Sequence, residues 1–328
     1  MKVMLPFEKQ PKIFAAFRAG YETASKHLYL ILFPIVLDLF LLFGFRITIF
    51  ELMQDVIQRF VLPPSATADL VASWEVLKSQ SLEFFRYFSL TAFLRSFPVG
   101  IPSLLSVASF ERSPLGEYQF IHLREPGTIV LVILAASLIG LFFAYVLFRL
   151  TARATTIQSG PPEPILESPS LVSWLLIPIV SIIFAFLVVL PAMLMISLIG
   201  ALLPIFTSIG YFFLTVAIIS LLLPVFFTPH LIILEKLTLP QALAASFSTV
   251  RITNAKSTNF LFLAILVSYL TNMLWRIPSE DSWMLLIGIF GHALISIVIL
   301  AASFHYITDA RKNVREFTEI QMSETHLA

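Results

Sequence analysis

Long runs without a charged residue divide this sequence into apolar segments. Residues 126–148, 257–275 and 282–308 contain no Asp, Glu, Lys or Arg, and residues 27–45 contain only Asp38. A helix needs roughly 20 apolar residues to cross the hydrocarbon core of a bilayer, and each run is close to that length. The pattern therefore predicts one membrane-spanning helix in each of these four runs.

A fifth run, over residues 168–234, is too long for one such helix. Its 67 positions carry no charge, whereas a single crossing takes about 17–25 residues. Residues that interrupt helices fall near its middle, at Pro191, Gly200, Pro204 and Gly210. We therefore expect two helices in this run, near 171–199 and 205–229, and six spans in the whole chain.

Two further segments carry apolar side chains on one side only. Over residues 239–252 the apolar positions recur every three to four residues, which is the spacing of one helix face. Thr238 and Gln241 fit a capping box at its start, in which side chains satisfy free backbone N–H groups. The same apolar spacing occurs over residues 11–26. Both segments also carry basic residues, so we expect two amphipathic helices lying at the membrane interface.

Composition places the chain among membrane proteins. Hydrophobic residues make up 58% of the 328 positions and charged residues 12%, whereas soluble domains average about 45–50% and 25%. The 21 basic and 20 acidic residues nearly cancel, so the net charge suggests no nucleic-acid partner. The absence of cysteine excludes disulfides, thiolate metal ligands and a cysteine nucleophile.

Basic residues indicate which side of the membrane each loop occupies, because short cytoplasmic loops are enriched in Lys and Arg. With six spans, thirteen basic residues fall in the termini and the inner loops, and the short outer loops hold only Arg276. The other seven lie in residues 46–126, a long segment to which the rule applies poorly. We therefore expect a multi-pass protein of the cell membrane with both termini in the cytoplasm.

The two amphipathic segments also resemble each other in sequence. Aligning Pro11 with Pro240 places the alanine pair at 15–16 on the alanine pair at 244–245. An internal duplication would explain this match, and internal repeats are common in transporter folds. Convergence of two segments on one amphipathic design explains it nearly as well.

The order of elements after residue 230 resembles a known membrane domain. The segment LIILEKLTLPQALAASF, over residues 231–247, is followed by Arg251 and Lys256 and then by another apolar run. This arrangement resembles the membrane domain attached to some bacterial glycerophosphodiester phosphodiesterases, and related multi-pass proteins with no assigned activity. The resemblance covers about residues 205–310 and, more weakly, residues 11–45.

That resemblance implies an all-helical bundle with interfacial helices and no catalytic residue. The soluble phosphodiesterase domain has no counterpart in these 328 residues, so its activity is not implied. Residues 46–126 depart from the family pattern. We expect them to form a helical segment outside the membrane, with a helix ending at Pro63 and Pro64. Residues 84–110 could lie on the outer leaflet, form a lid or docking surface, or re-enter the membrane as a hairpin near 88–110.

No catalytic or nucleotide-binding motif occurs in the sequence. It contains no H-E-x-x-H, no G-x-S-x-G, no P-loop and no G-x-G-x-x-G. An intramembrane protease or a nucleotide-driven pump is therefore not expected. We expect a protein that is not an enzyme and that needs no cofactor.

Two ionisable residues lie near the middle of predicted spans. Asp38 is about halfway along the first span and His292 about halfway along the last. An isolated charge at this depth is costly, so such residues usually face the interior of a bundle and pair with one another. Two interpretations follow: Asp38 and His292 form a proton- or ion-linked pair, or Asp38 is hydrogen-bonded to hydroxyl groups and His292 is an ordinary packing residue.

A second group of polar residues falls where the predicted spans meet the cytoplasm. It comprises His27, His230, Glu235, Arg251, Lys256, His305 and Asp309. Several are metal-ligand types, but no spacing motif joins them, so we predict no metal site.

Two classes of function fit these observations. The first is a non-enzymatic membrane protein that acts as a structural, assembly or regulatory partner, in contact with membrane lipid and with another membrane protein. The alternative is a transporter or permease for a small or lipid-like solute, which the apparent repeat, the prolines within the spans and Asp38 favour.

Reporter fusions test the predicted topology. A reporter fused at Lys236 or at the C-terminus should report a cytoplasmic location, because the basic residues of short loops favour that side. An external signal at either position would overturn the arrangement of six spans.

Overall fold

The computed structural model describes residues 11–63, 65, 67–106, 112–156, 169–279 and 281–327, without the side chains of 169, 201, 202, 204, 205, 254, 318 and 320–327. The described residues are 80% helical, which confirms the predicted all-α class. Its helices are α1 (Ile13–Lys26), α2 (Leu32–Phe43), α3 (Phe50–Arg59), α4 (Ala68–Tyr87), α5 (Pro126–Thr155), α6 (Pro169–Phe184), α7 (Leu190–Leu202), α8 (Pro204–Val225), α9 (Thr228–Glu235), α10 (Leu239–Trp275) and α11 (Leu285–Leu327). Short 3₁₀ turns occupy Leu28–Ile31 and Leu90–Arg95, and a π-helical turn, Ala185–Val189, joins α6 to α7.

In the described part of the chain, five helical stretches are long and apolar enough to cross a membrane. They are Pro126–Thr155, Ser170–Gly200, Phe206–Glu235, Ala255–Trp275 and Leu285–Phe317. The expectation of two helices in the 67-residue uncharged run is confirmed. They separate at Leu203, whose φ of −138° is not helical, and α8 begins at Pro204, where a missing N–H costs nothing.

The first predicted span, residues 27–45, is shorter than the others and is joined to a bend. The helix over Leu28–Phe43 makes an angle of 90° with α1, so only the bent pair counts as a sixth candidate span. The chain turns at His27, whose backbone lies outside the helical region. Pro34 has no N–H for an intrahelical bond, and a 3₁₀ turn precedes it.

The predicted separate helix over 239–252 is wrong in its end point. Those residues form the first part of α10, which continues without a break for 37 residues. The hydroxyl of Thr253 donates to the carbonyl of Thr249 at 2.8 Å and bonds the hydroxyl of Ser257 at 2.8 Å, so polar groups at the expected break are satisfied inside the helix. Its start matches the prediction, because the Gln241 side chain accepts the Thr238 N–H at 3.1 Å.

This continuity bears on the apparent duplication. The predicted helix over 11–26 is confirmed as α1, but α1 ends at the 90° bend, whereas α10 runs straight on from the equivalent position. The two matching segments therefore continue differently in three dimensions.

The segment over residues 46–126, called the outer segment after its predicted position, is only partly helical. Besides α3 and α4 it contains the strands β1 (Arg46–Thr48), β2 (Arg112–Ser113), β3 (Gly116–Glu117) and β4 (Phe120–His122). Strands β1 and β4 pair in parallel, with Ile47 opposite Ile121. Strand pairing therefore holds the two ends of this segment together, and a helical pattern in the sequence does not reveal that contact. Pro64 and the part of the predicted hairpin over 107–110 lie outside the described residues.

The chain divides into two compact units. The first comprises Met1–Leu30, Tyr145–Tyr269 and Ser296–Ala328. Its interior is aromatic: the rings of Phe260 and Tyr306 are fully buried and stack with centroids 4.4 Å apart. Aromatic side chains bury more apolar surface than any other type, so they dominate the packing of such a core.

The second unit comprises Ile31–Ala144 and Leu270–Ile295. Its core joins α2 to the chain that follows the 3₁₀ turn Leu90–Arg95, and Leu42, Leu90 and Leu104 have no exposed surface. A Cβ added to Gly140 of α5 would lie 2.0 Å from the Leu94 carbonyl oxygen. This position therefore needs glycine, because only glycine lets the two backbones approach so closely.

A similar close approach joins two helices of the first unit. A Cβ added to Gly20 of α1 would lie 2.6 Å from the Val298 carbonyl oxygen and 2.7 Å from the Ala302 nitrogen, both on α11. Backbone atoms cannot rotate away as a side chain does, so a larger residue at this position would push the helices apart.

We predict that Gly20→Val lowers the free energy of unfolding of the purified protein by about 1–3 kcal/mol, the usual cost of overpacking. Gly127→Val is the matched control, because a Cβ there would approach nothing closer than Glu125 Oε1 at 3.8 Å. Unfolding in detergent measures both variants. Equal stability of the two variants would contradict the contact between α1 and α11.

Candidate functional site

The buried acid Asp38 is held by a loop of the outer segment. Its side chain has no exposed surface. The Ser103 hydroxyl donates to Oδ1 at 2.5 Å, the Leu104 N–H donates to Oδ2 at 2.9 Å, and the Leu105 N–H donates to Oδ1 at 3.1 Å. A carboxylate accepts hydrogen bonds at both oxygens, so these three donors replace the water that burial removes.

Local hydrogen bonding shapes the loop that provides these donors. Ser103 donates to Asp38 and accepts the Ser106 N–H at 3.0 Å, which closes a tight turn over 103–106. The chain also folds back sharply before it, since a Cβ on Gly100 would lie 1.7 Å from the Arg95 carbonyl oxygen. The turn therefore presents two consecutive N–H groups, those of Leu104 and Leu105, to one carboxylate.

Two arginines bind the far side of the same loop. Arg276, which follows α10, donates to the Leu104 carbonyl at 2.5 Å, and Arg95 donates to the Ser106 hydroxyl at 3.4 Å. Partial burial lowers the pKa of Arg95, while the charge of Asp38 acts in the opposite direction. Asp38, Arg95 and Arg276 thus form one electrostatic group, with the loop between the carboxylate and Arg276.

The expected pairing of Asp38 with His292 is wrong, because each residue is held by different partners. His292 Nδ1 lies 2.8 Å from Asn272 Oδ1, which joins α11 to α10 within the second unit. The hydrogen bonds of Asp38 come instead from the loop at 103–105. Loop closure brings donors from 65 to 67 positions away in sequence, and no local pattern reveals a contact at that separation.

Glu235 is the centre of an ion-pair group in the first unit. Its Oε1 lies 2.8 Å from Arg311 Nε, and its Oε2 lies 2.8 Å from Nη2 of both Arg311 and Arg315. The next residue, Lys236, adopts a left-handed conformation with φ of 53° and ends α9. The forked contact of Arg311 is the geometry that favours a fixed carboxylate–guanidinium pair. It fixes the end of α9 against α11.

The other polar residues predicted at this rim do not converge on one site. His230 is buried and bonds the Ser303 hydroxyl at 2.7 Å, with the ring of Phe304 at 4.6 Å. His305 bonds the Thr23 hydroxyl at 2.9 Å. His27 lies edge-on to the Tyr29 ring, while Arg251 and Asp309 are exposed and Lys256 is half-buried. Within the described residues, no group of three or more His, Asp or Glu side chains could hold a metal ion.

These contacts define the surroundings of fully buried Asp38 and half-buried Glu235. The oxygens of Asp38 and Glu235 are already used by donors of the protein itself. Comparison of the chain with protein-family models, curated proteins and solved structures found no match.

Residues that complete these groups escaped the sequence-based prediction. Ser103 and Asn272 are polar residues in largely apolar stretches, and that isolation is the signal that could have identified them. Arg311 and Arg315 are four apart on α11, so one helix face carries both, but the partner Glu235 lies 76 positions before Arg311.

We predict that Asp38→Asn and Ser103→Ala each lower stability in detergent by about 1.5–3 kcal/mol, because each removes a hydrogen bond to a charged group. The double variant Asp38→Asn/Ser103→Ala should cost about 0.5–3 kcal/mol less than the sum of the two single changes. Asp38→Asn/His292→Gln is the control and should be additive. Additive effects of Asp38→Asn and Ser103→Ala, together with non-additive effects of Asp38→Asn and His292→Gln, would instead support a pair between Asp38 and His292.

Proposed function

We propose that this chain is a non-enzymatic multi-pass protein of the cell membrane that serves as a structural, assembly or regulatory partner of another membrane protein. The bent pair formed by α1 and α2 supplies the first of six spans, and both termini lie in the cytoplasm. Support comes from the five long apolar helices and from the thirteen basic residues of the termini and inner loops.

Lipid contact is part of this proposal. In the most apolar 18 residues of Ser170–Gly200, no residue is buried within the protein. In the corresponding part of Phe206–Glu235, only 6% of the residues are buried. Apolar side chains exposed along a whole helix need a nonpolar environment, which a bilayer provides.

One observation carries the proposed partner role: the outer segment exposes an apolar hairpin. Helices α3 and α4 pack against each other, yet neither contains a buried residue. Their exposed large apolar side chains are Val56, Leu70, Val71, Val76, Leu77 and Phe84. Exposed apolar patches of this kind mark sites of protein or membrane interaction.

The environment of Asp38 favours a structural role for this acid over a transport role. A proton- or ion-carrying acid must exchange its partners with a mobile species, and such residues line pathways through the membrane. Asp38 instead holds the turn at 103–105, and its oxygens accept three hydrogen bonds. It anchors the outer segment to α2.

Transport of a lipid-like solute is the second candidate function. Irregular helices support it: Pro178 lies inside α6, the π-helical turn Ala185–Val189 follows, and Pro224 lies inside α8. Transporters build binding sites from interrupted helices of this kind, and bent packing helices are the commoner use of the same features.

Photo-cross-linking in native membranes tests the partner role. A photoreactive residue at Leu77 of α4 should form a discrete cross-link to another protein. Leu134 of α5 is the matched control, because both side chains are 54% exposed, and there we expect cross-links to lipid only. Identical, lipid-only patterns at both positions would show that the hairpin rests on the bilayer, and the proposed role would then fail.

A further inference from the structure

The second unit contains a cavity of about 210 Å³ between the outer segment and the end of α2. Most of its wall is apolar or aromatic, and three of its lining residues carry aliphatic hydroxyl groups. Its lining residues are Leu41, Arg46, Phe84, Tyr87, Phe88, Ser89, Thr91, Ala92, Leu105 and Ser106. A largely apolar cavity with a few polar groups is the usual composition of a small-molecule site.

Among the described residues of this lining, Arg46 is the one that carries a charge. Only 5% of its surface is exposed. The strand β1 fixes its backbone, since the Arg46 N–H donates to the Gln119 carbonyl at 2.9 Å. The face of the Tyr118 ring lies 3.8 Å from the centre of the guanidinium group, which leaves the edge of the group to make hydrogen bonds.

The guanidinium group of Arg46 is under-satisfied in the described part of the chain. It has five N–H donors, and its hydrogen bond there is a long one, to the Tyr87 carbonyl at 3.4 Å. Within the same residues no carboxylate oxygen lies within 4.0 Å of it. A buried cation normally requires a paired anion, because removal from water is costly.

We propose that this cavity binds the oxyanion of an amphiphile, a carboxylate or phosphate attached to an apolar group. Arg46 would form a forked contact with the oxyanion, the geometry for which guanidinium is suited. Ser89, Thr91 and Ser106 stand in the same lining, and the aromatic wall of Phe84 and Phe88 receives the apolar group. This site does not depend on the partner role proposed above.

The size of the cavity limits what enters it. Pockets for drug-sized ligands are about 300–1,000 Å³, so a volume of about 210 Å³ admits a head group with the start of a chain, or one ring. Leu41 belongs to the apolar helix α2 and also lines the cavity. The ligand chemistry can therefore come from a membrane lipid or from a soluble organic anion.

Equilibrium binding to the purified full chain in phosphatidylcholine nanodiscs tests this site. Oleate is the lipid-like probe and benzoate the soluble probe; oleyl alcohol and benzyl alcohol are their neutral analogues. We expect saturable binding of oleate, with about tenfold or greater loss of affinity in Arg46→Gln. Arg59→Gln is the control for charge, since Arg59 is an exposed arginine of the same segment that does not line the cavity.

The outcomes separate the two ligand sources. Binding of oleate alone identifies a lipid, and binding of benzoate alone or with oleate identifies a soluble anion; either supports the site. Absence of saturable binding by both anions, or equal affinities of Arg46→Gln and Arg59→Gln, would overturn it. If Arg46→Gln does not fold, the test uses the wild-type protein alone. A roughly tenfold higher affinity for an anion than for its neutral alcohol then supports the site, and equal affinities for the two refute it.

Discussion

A carboxylate removed from water must receive hydrogen bonds from the protein, and the second unit is arranged to meet that requirement at Asp38. The turn at 103–106 folds so that two backbone N–H groups and one hydroxyl meet the two carboxylate oxygens. Arg276 then binds the carbonyl of Leu104. Leu104 and Leu105, whose amides bind Asp38, are both buried in the core.

The same turn connects the anchor to the cavity. Leu105 donates its N–H to Asp38 and also lines the cavity that contains Arg46. The position of one cavity wall is therefore set by a hydrogen bond to α2, and the shape of a ligand site in the outer segment depends on a residue inside an apolar helix. Arg46 itself is placed by the parallel pairing of β1 with β4.

The apolar helices could be predicted from uncharged runs alone, because the length needed to cross a bilayer is a strong constraint. The end of the helix that begins at Leu239 could not, since Thr253 and Ser257 bond within α10 and keep it continuous where Arg251 and Lys256 suggested a break. Asp38 was recognisable as a residue that needs a partner. Its partner could not be predicted, because the depth of a residue in a span does not identify a loop residue 65 positions later that folds back to contact it.

That separation has a consequence for biosynthesis. At about 5–20 residues per second, the ribosome adds Ser103 roughly 3 to 13 s after Asp38. On the topology proposed above, α2 would carry an acid without its donors during this interval, at a cost of about 2.5–3.5 kcal/mol at the centre of a membrane helix. We then expect α2 to settle in the membrane only after the segment 46–126 has been translated and translocated. The nascent chain would then complete its first span late, in concert with α5.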